Sequence, residues 1–168
     1  MSIIGAKFKK NEIFVPEVLI AARAMNKGLE ILKPVLSKAG VEPIGKALIC
    51  TVKGDLHDIG KNLVKMMLEG QGITCIDLGV DVEAQIVVEA IQEHHPDLVC
   101  LSALLSTTMM SQGEIIEAID AAGLRDQVKI LVGGAPVTQA FAKEIQADGY
   151  APDAASAAEL ALRIISKR

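Results

Sequence analysis

After residue 45 the chain repeats one unit: a short continuous apolar run, a turn, then an amphipathic stretch of helical length. The runs are Lys46–Val52, Ile73–Leu78, Leu98–Leu101 and Val128–Val132, with a brief Gly149–Ala151 segment as the fifth. Between and after them the apolar spacing predicts helices over Asp58–Glu69, Val82–Glu93, Met109–Ala122, Thr138–Gln146 and Ala154–Ile165. The runs are rich in Val, Ile and Leu and show no polar alternation, as strands buried on both faces do. Regular alternation of such strands with helices implies βαβ units and an open parallel sheet.

The fold class is therefore α/β, a flavodoxin-like (Rossmann-type) five-stranded parallel sheet with helices on both faces. For the strand order 2-1-3-4-5, ligands bind outside the carboxyl ends of strands 1 and 3. The loops after Val52 and Leu101 are the places to look for a site. Residues 1–40 read differently. Phe14, Val18, Ala21, Met25, Leu29, Leu32 and Leu36 recur at helical spacing, with Pro16 in a first turn and Pro34 expected to kink or end the helix. This gives three parts: a helical segment 1–40, a linker 41–45 and an α/β domain 46–168.

Charge divides the chain in the same place. Residues 1–40 carry seven Lys/Arg and three Glu, +4; the remainder carries ten basic and eighteen acidic residues, −8. The net charge of −4 argues against a nucleic-acid partner held by bulk charge. Aromatic residues are 2% with no Trp, too few for base stacking or a flavin clamp. Cys50, Cys75 and Cys100 form no CxxC pair and sit inside apolar runs, as free buried thiols do in a reducing compartment. No run approaches the ~20 residues of a membrane span, and no signal-peptide core opens the chain. A cytoplasmic protein without membrane contact is expected.

The loop after the first strand reads Lys53-Gly54-Asp55-Leu56-His57-Asp58-Ile59-Gly60. An imidazole at the carboxyl end of a central strand is poised to ligate or to exchange protons. Asp55, two residues earlier, is placed to accept a hydrogen bond from the other ring nitrogen, the pairing that orients metal-ligating histidines. Gly60 removes a side chain where the next helix opens. Taken alone, His57 is equally a solvent-facing loop residue and Asp58 a plain helix cap. No second ligand stands at zincin spacing; one imidazole suits a metal whose other positions a macrocycle fills. The Met109-Met110 pair reads as core, and His94-His95 as a solvated helix end.

Asp55-x-His57-x-x-Gly60, Ser102-x-Leu104 and Gly133-Gly134, each after a predicted strand, together resemble the three-part signature of cobalamin-binding domains. The resemblance covers residues 46–168. It implies a cobamide cofactor whose own base leaves cobalt and inserts as a tail into the domain. His57 would become the lower axial cobalt ligand, Asp55 would hold its far nitrogen, and Ser102 would hydrogen-bond behind. The rest of the implied binding set is Gly54, Leu56, Asp58, Ile59 and Gly60 around the ligand. Leu104 and Ser106 would lie over the base and corrin edge, Gly133 and Gly134 along the tail, and Tyr150 and Ala154 at the far end. No catalytic acid or nucleophile is implied.

Phe14 through Leu36 resembles the second half of the helical cap of methionine synthase and methyltransferase corrinoid proteins, with Phe14 shielding the cofactor's upper face. That implies a corrinoid methyl carrier cycling between methyl-Co(III) and Co(I). Its partners would be a substrate-specific methyltransferase and a second corrinoid-dependent methyltransferase whose acceptor is a folate or a thiol. The protein would then be one component of a multi-subunit methyltransferase system. The alternatives are a cobalamin-binding subunit of an adenosylcobalamin mutase and a cobalamin-dependent regulator or sensor. Only part of the cap is present in the sequence, so its apolar stripe predicts self-association or a poorly ordered N-terminus. A receiver domain would need an Asp where Cys100-Leu101-Ser102 stands, and a flavodoxin phosphate loop is opposed by the acidic Asp55 and Asp58.

Overall fold

The computed structural model describes residues 1–40 and 42–166. Val41, the first residue of the expected linker, and Lys167–Arg168, the end of the expected α/β domain, lie outside them. Two helices come first, α1 (Ser2–Lys9) and α2 (Val15–Lys38). Then β1 (Gly45–Val52), α3 (Ile59–Glu69), β2 (Ile73–Val82), α4 (Ala84–His94), β3 (Leu98–Ser102), α5 (Met110–Ala121), β4 (Lys129–Gly133), α6 (Gln139–Glu144), β5 (Gly149–Tyr150) and α7 (Ala154–Ile165) follow. The five strands form one parallel sheet in the order β2-β1-β3-β4-β5.

Side chains on each strand alternate between two apolar cores. Leu48, Cys50, Val52, Val99, Leu101, Ile130 and Val132 meet α4, α5 and α6 on one face. Ala47, Ile49, Leu98, Cys100 and Leu131 meet α3, α7 and the N-terminal helices on the other. Both faces are dry, so the central strands show no polar alternation. Burial pushes the Cys50 thiol up to about 12 and the Cys100 thiol higher still, so neither is a thiolate at neutral pH. Cys75 departs from expectation: it is half-buried, because β2 is an edge strand.

Three boundaries move. β2 continues past Leu78 to Val82 because Gly79 (φ +90°) and Asp81 (φ +55°) carry irregular register against β1. α4 accordingly starts at Ala84 rather than Val82. Pro34 does not end α2, which runs on to Lys38; the helix forgoes only the bond from residue 34 to Glu30. Met110 is 54% exposed at the start of α5 rather than in the core. His95 closes α4 in a left-handed conformation and is exposed.

The inner face of α2 packs through Val18 and Ala22, both fully buried. Ile20, Ile31 and Val35 on other sides are 67%, 76% and 60% exposed. No described helix is long and apolar enough to cross a membrane.

Asp148 joins β4 to the turn before β5. It accepts the Ile130 amide at 2.8 Å, Lys129 Nζ at 3.0 Å and Arg125 Nη1 at 2.9 Å. Burial pushes its carboxyl up, but these donors outweigh it and hold the group below the usual carboxylate range. A depressed folded value stabilises the fold above the ordinary carboxylate range and loses that contribution as pH falls. Asp148→Asn is therefore expected to cost about 2 kcal/mol at neutral pH. The gap to wild type should narrow from about pH 5 downward, and urea melts at several pH values check both.

Candidate functional site

β1 is the point where the sheet's connections reverse: β2 lies on one side of it and β3 on the other. The loops leaving β1 and β3 diverge there and open a crevice. The β1 loop is held from several directions. Thr51 Oγ1 donates to the His57 carbonyl at 2.9 Å, and the Gly54 amide donates to Asp81 Oδ1 at 2.7 Å. The Asp81 amide donates to the Asp55 carbonyl at 3.0 Å. Gly54 takes φ +81°, a left-handed turn that suits a residue without Cβ.

Asp55 is fully buried and is the centre of the loop. Its Oδ1 receives the His57 amide at 3.1 Å and faces His57 Nδ1 at 2.8 Å. Its Oδ2 receives the Leu104 amide at 2.7 Å and the Thr108 hydroxyl at 2.7 Å. Burial pushes the carboxyl up, but the Leu104 amide, the Thr108 hydroxyl and the His57 amide and ring outweigh it. They hold the group far below the usual carboxylate range. An ionised carboxylate only accepts hydrogen bonds, so Nδ1 of His57 carries the proton. Nε2 is then left with its lone pair free. The imidazole is 54% exposed and open to a ligand.

His57 stands on a cavity of about 370 Å³ that runs under the carboxyl ends of β1, β3 and β4 to the start of α7. Gly60, Ser102, Leu104, Gly133, Gly134 and Ala154, all expected from sequence, line it with His57. Gly134 takes φ +128°, and a methyl there would collide with the Ala103 carbonyl. A Cβ on Gly60 would meet only open space, so this glycine leaves room on the cavity side of α3. Leu56 and Ile59 are 72% and 74% exposed on the same loop as His57. Asp58 holds the N-cap position of α3 but turns its carboxylate to Asn62 Nδ2 at 2.9 Å, not to the helix amides. Ser106 lies exposed in the β3–α5 loop.

Two expectations are corrected, and one aromatic side chain was not anticipated. The hydroxyl that reaches Asp55 belongs to Thr108, not Ser102; Ser102 ends β3 on the cavity wall, while the turn before α5 carries Thr108 back over the carboxylate. Tyr150 packs on the core of the other sheet face, because alternation along β5 turns Ala151 to the cavity instead. The aromatic side chain on the cavity is Phe8 of α1, and Phe14 is solvent-exposed.

Sequence reasoning also missed Lys61, 3% exposed on the cavity wall, which pairs with Asp77 at 2.6 Å and locks α3 to β2. Burial pushes the Asp77 carboxyl up; Lys61, the Gly79 amide and Lys65 outweigh it and bring it down. Buried Gln112 ties β3 to β4, donating to the Leu101 and Gly133 carbonyls, both at 3.0 Å. Lys61 follows Gly60 directly and was the one legible candidate; the others carry no local signal.

A family of B12 binding domains matches residues 45–159, and a second B12 binding domain family matches residues 1–33. A corrinoid protein of Desulfitobacterium hafniense is 45% identical over 99% of this chain and 79% of its own length. Trimethylamine corrinoid protein 1 of Methanosarcina acetivorans is 45% identical over 92% of this chain and 72% of its own. The crystal structure of the methanol:cobalamin methyltransferase complex MtaBC from Methanosarcina barkeri superposes with a TM-score of 0.85. The match has 33% identity over 99% of this chain and 63% of that one.

The two glycines should separate cleanly. Gly134→Ala is expected to destabilise the protein by about 2–3 kcal/mol, through both the clash and the strained φ. Gly60→Ala should leave stability unchanged or raise it by up to about 1 kcal/mol. Chemical denaturation of the two variants beside wild type checks this.

Proposed function

The chain belongs to the B12-binding corrinoid protein family, and on that premise we propose that it is a corrinoid methyl carrier with His57 as the lower axial ligand of cobalt. The carrying observation is the imidazole whose Nδ1 is committed to buried Asp55 and whose Nε2 is left free at the mouth of a long cavity. The residues fit the group. Glycines 60, 133 and 134 leave the cavity walls bare enough for a nucleotide tail. Exposed Leu56, Ile59 and Leu104 give His57 an apolar rim suited to the underside of a macrocycle.

When bound, the corrinoid supplies a cobalt centre that takes a methyl group from one molecule and hands it to another. The protein's own residues orient and bury. Asp55 holds the imidazole in one tautomer and orientation. In this reading Leu104 and Ser106 would border the corrin, and Ala154 would meet the tail. In this reading residues 1–40 act as a helical cap, with exposed Phe14 available to cover the cofactor. In the same reading 41–45 would be the linker, although Gly45 already opens β1, and 46–168 the cofactor domain. The division of labour makes the chain one component of a methyltransferase system.

Similarity to the M. barkeri methyltransferase complex supports a methyltransferase partner, and the carrier reading calls for two. One is a substrate-specific methyltransferase. The other is a methyltransferase that passes the group to a folate or a thiol. The exposed Ile20, Ile31 and Val35 of α2 support self-association in addition. Light scattering at rising protein concentration should show a dimer or larger, and Ile31→Lys should shift it toward monomer.

The test of the cofactor reading is the visible spectrum after incubation with hydroxocobalamin and desalting. Wild type should retain colour with a histidine-ligated spectrum, and His57→Ala should change that spectrum. No retained corrinoid in folded wild type overturns the cofactor. An unchanged spectrum in the variant overturns the role of His57.

A further inference from the structure

α2 carries apolar surface on the side turned away from the sheet. At 3.6 residues per turn, Ile20, Ala24, Ile31 and Val35 fall within about 60° of one another on the helix. Val18 and Ala22, both fully buried, lie on the opposite side. All four outer residues are exposed. Gly28 stands beside the middle of the stripe, and a Cβ there would meet only open space. Arg23, Lys27 and Glu30 follow one edge of the stripe, and Glu17 and Lys38 stand at its two ends; all five are exposed.

The stripe complements itself when a second copy is laid along it in the opposite direction. One register sets Ile20 opposite Val35 of the second copy, Ala24 opposite Ile31, and Lys27 opposite Gly28. The bulkiest exposed side chain then meets a methyl, and the lysine stem meets a residue with no side chain. Charges match in the same register. Glu17 falls opposite Lys38 of the second copy, and Arg23 opposite Glu30 along the shared edge, each pair occurring twice by symmetry. Antiparallel helices also set opposite dipole ends side by side. A parallel pairing would instead set Arg23 against Arg23 and Glu30 against Glu30. We propose that α2 is a self-complementary dimer interface, on which α2 of a second copy lies antiparallel about a two-fold axis near Lys27 and Gly28. This deepens the self-association read above, on which it rests, by fixing the surface, the direction and the register.

Glu30 already pairs with Lys27 of its own chain at 2.9 Å. In the dimer Arg23 of the second copy joins that carboxylate, so each Lys27 near the axis keeps a carboxylate beside it. The pairing uses only the outer side of α2, and each copy keeps its own core contacts through Val18 and Ala22. Sedimentation equilibrium of the full chain measures the dimer constant. Arg23→Glu and Glu30→Arg should each raise the dissociation constant about tenfold, because two attractive pairs become repulsive. Both reversals in one chain should return it close to wild type. Thermal melts of the three variants should match wild type, since both side chains are exposed. Direction is tested with Ile20→Cys, Val35→Cys and a short bifunctional thiol reagent, wild type giving the background from its own cysteines. A mixture of the two variants should cross-link and neither alone should, because like positions lie roughly 22 Å apart in an antiparallel pair.

A wild type that stays monomeric at high concentration overturns both self-association and this interface. A wild-type dimer overturns the interface and leaves self-association standing in any of three cases. The doubly reversed chain stays as weak as the single variants, Ile20→Cys alone cross-links above background, or none of the α2 variants moves the dimer constant.

Discussion

A carboxylate with no exposed surface, Asp55, is the interaction on which the rest of this site depends. A buried charge is costly unless every lone pair is used. Four donors from two loops of the chain converge on it: His57 twice, Leu104 and Thr108. The carboxylate draws the loop after β1 and the loop after β3 to the same point. In return it stays ionised, and ionisation dictates which nitrogen of His57 carries the proton. One desolvated anion therefore decides the shape of the crevice and the chemical face of the imidazole together.

The sheet prepares the ground for that convergence. Parallel strands bring all their carboxyl ends to one edge, and the reversal of direction at β1 parts the helices above it. The irregular end of β2 has a role in this. Gly79 and Asp81 let the strand run on far enough for Asp81 to hold both Gly54 and Asp55. Lys61 and Asp77 fasten α3 to the same strand, and Gln112 ties β3 to β4 just below the cavity. Each is a polar group spent on fixing a loop or helix end, where apolar packing alone is not directional.

Much of this is legible in the residues before any coordinates. Asp55, His57 and Gly60 lie within six positions, so their relation is set by local chain geometry and survives any error about the fold. Gly133 and Gly134 are readable for the same reason, a local pair without Cβ where a strand ends and the backbone passes close to Ala103 and Ala151. Thr108 was not readable. It follows Ser106 and Thr107, and nothing local distinguishes the hydroxyl that meets a carboxylate 53 residues earlier. Ser102 looked better placed because it ends a strand, but strand alternation sends it to the cavity wall. Phe8 was not readable either: helical spacing identifies a stripe, not which turn of which helix lies against the cavity.

By itself the sequence determined the periodicities and the local motif. Runs that are apolar without alternation read as strands of a parallel sheet covered on both faces, and an Asp two residues before a His is within reach of its ring. Those are short-range consequences of backbone geometry and of the cost of exposing apolar surface. Only the tertiary structure decided the partners of Asp55, the side of the sheet on which Tyr150 falls and the extension of β2. These depend on register between strands and on where a loop returns after 50 residues of chain. Hydrogen bonds at such separations are selected by the packing of the whole domain, and no window of sequence contains the information.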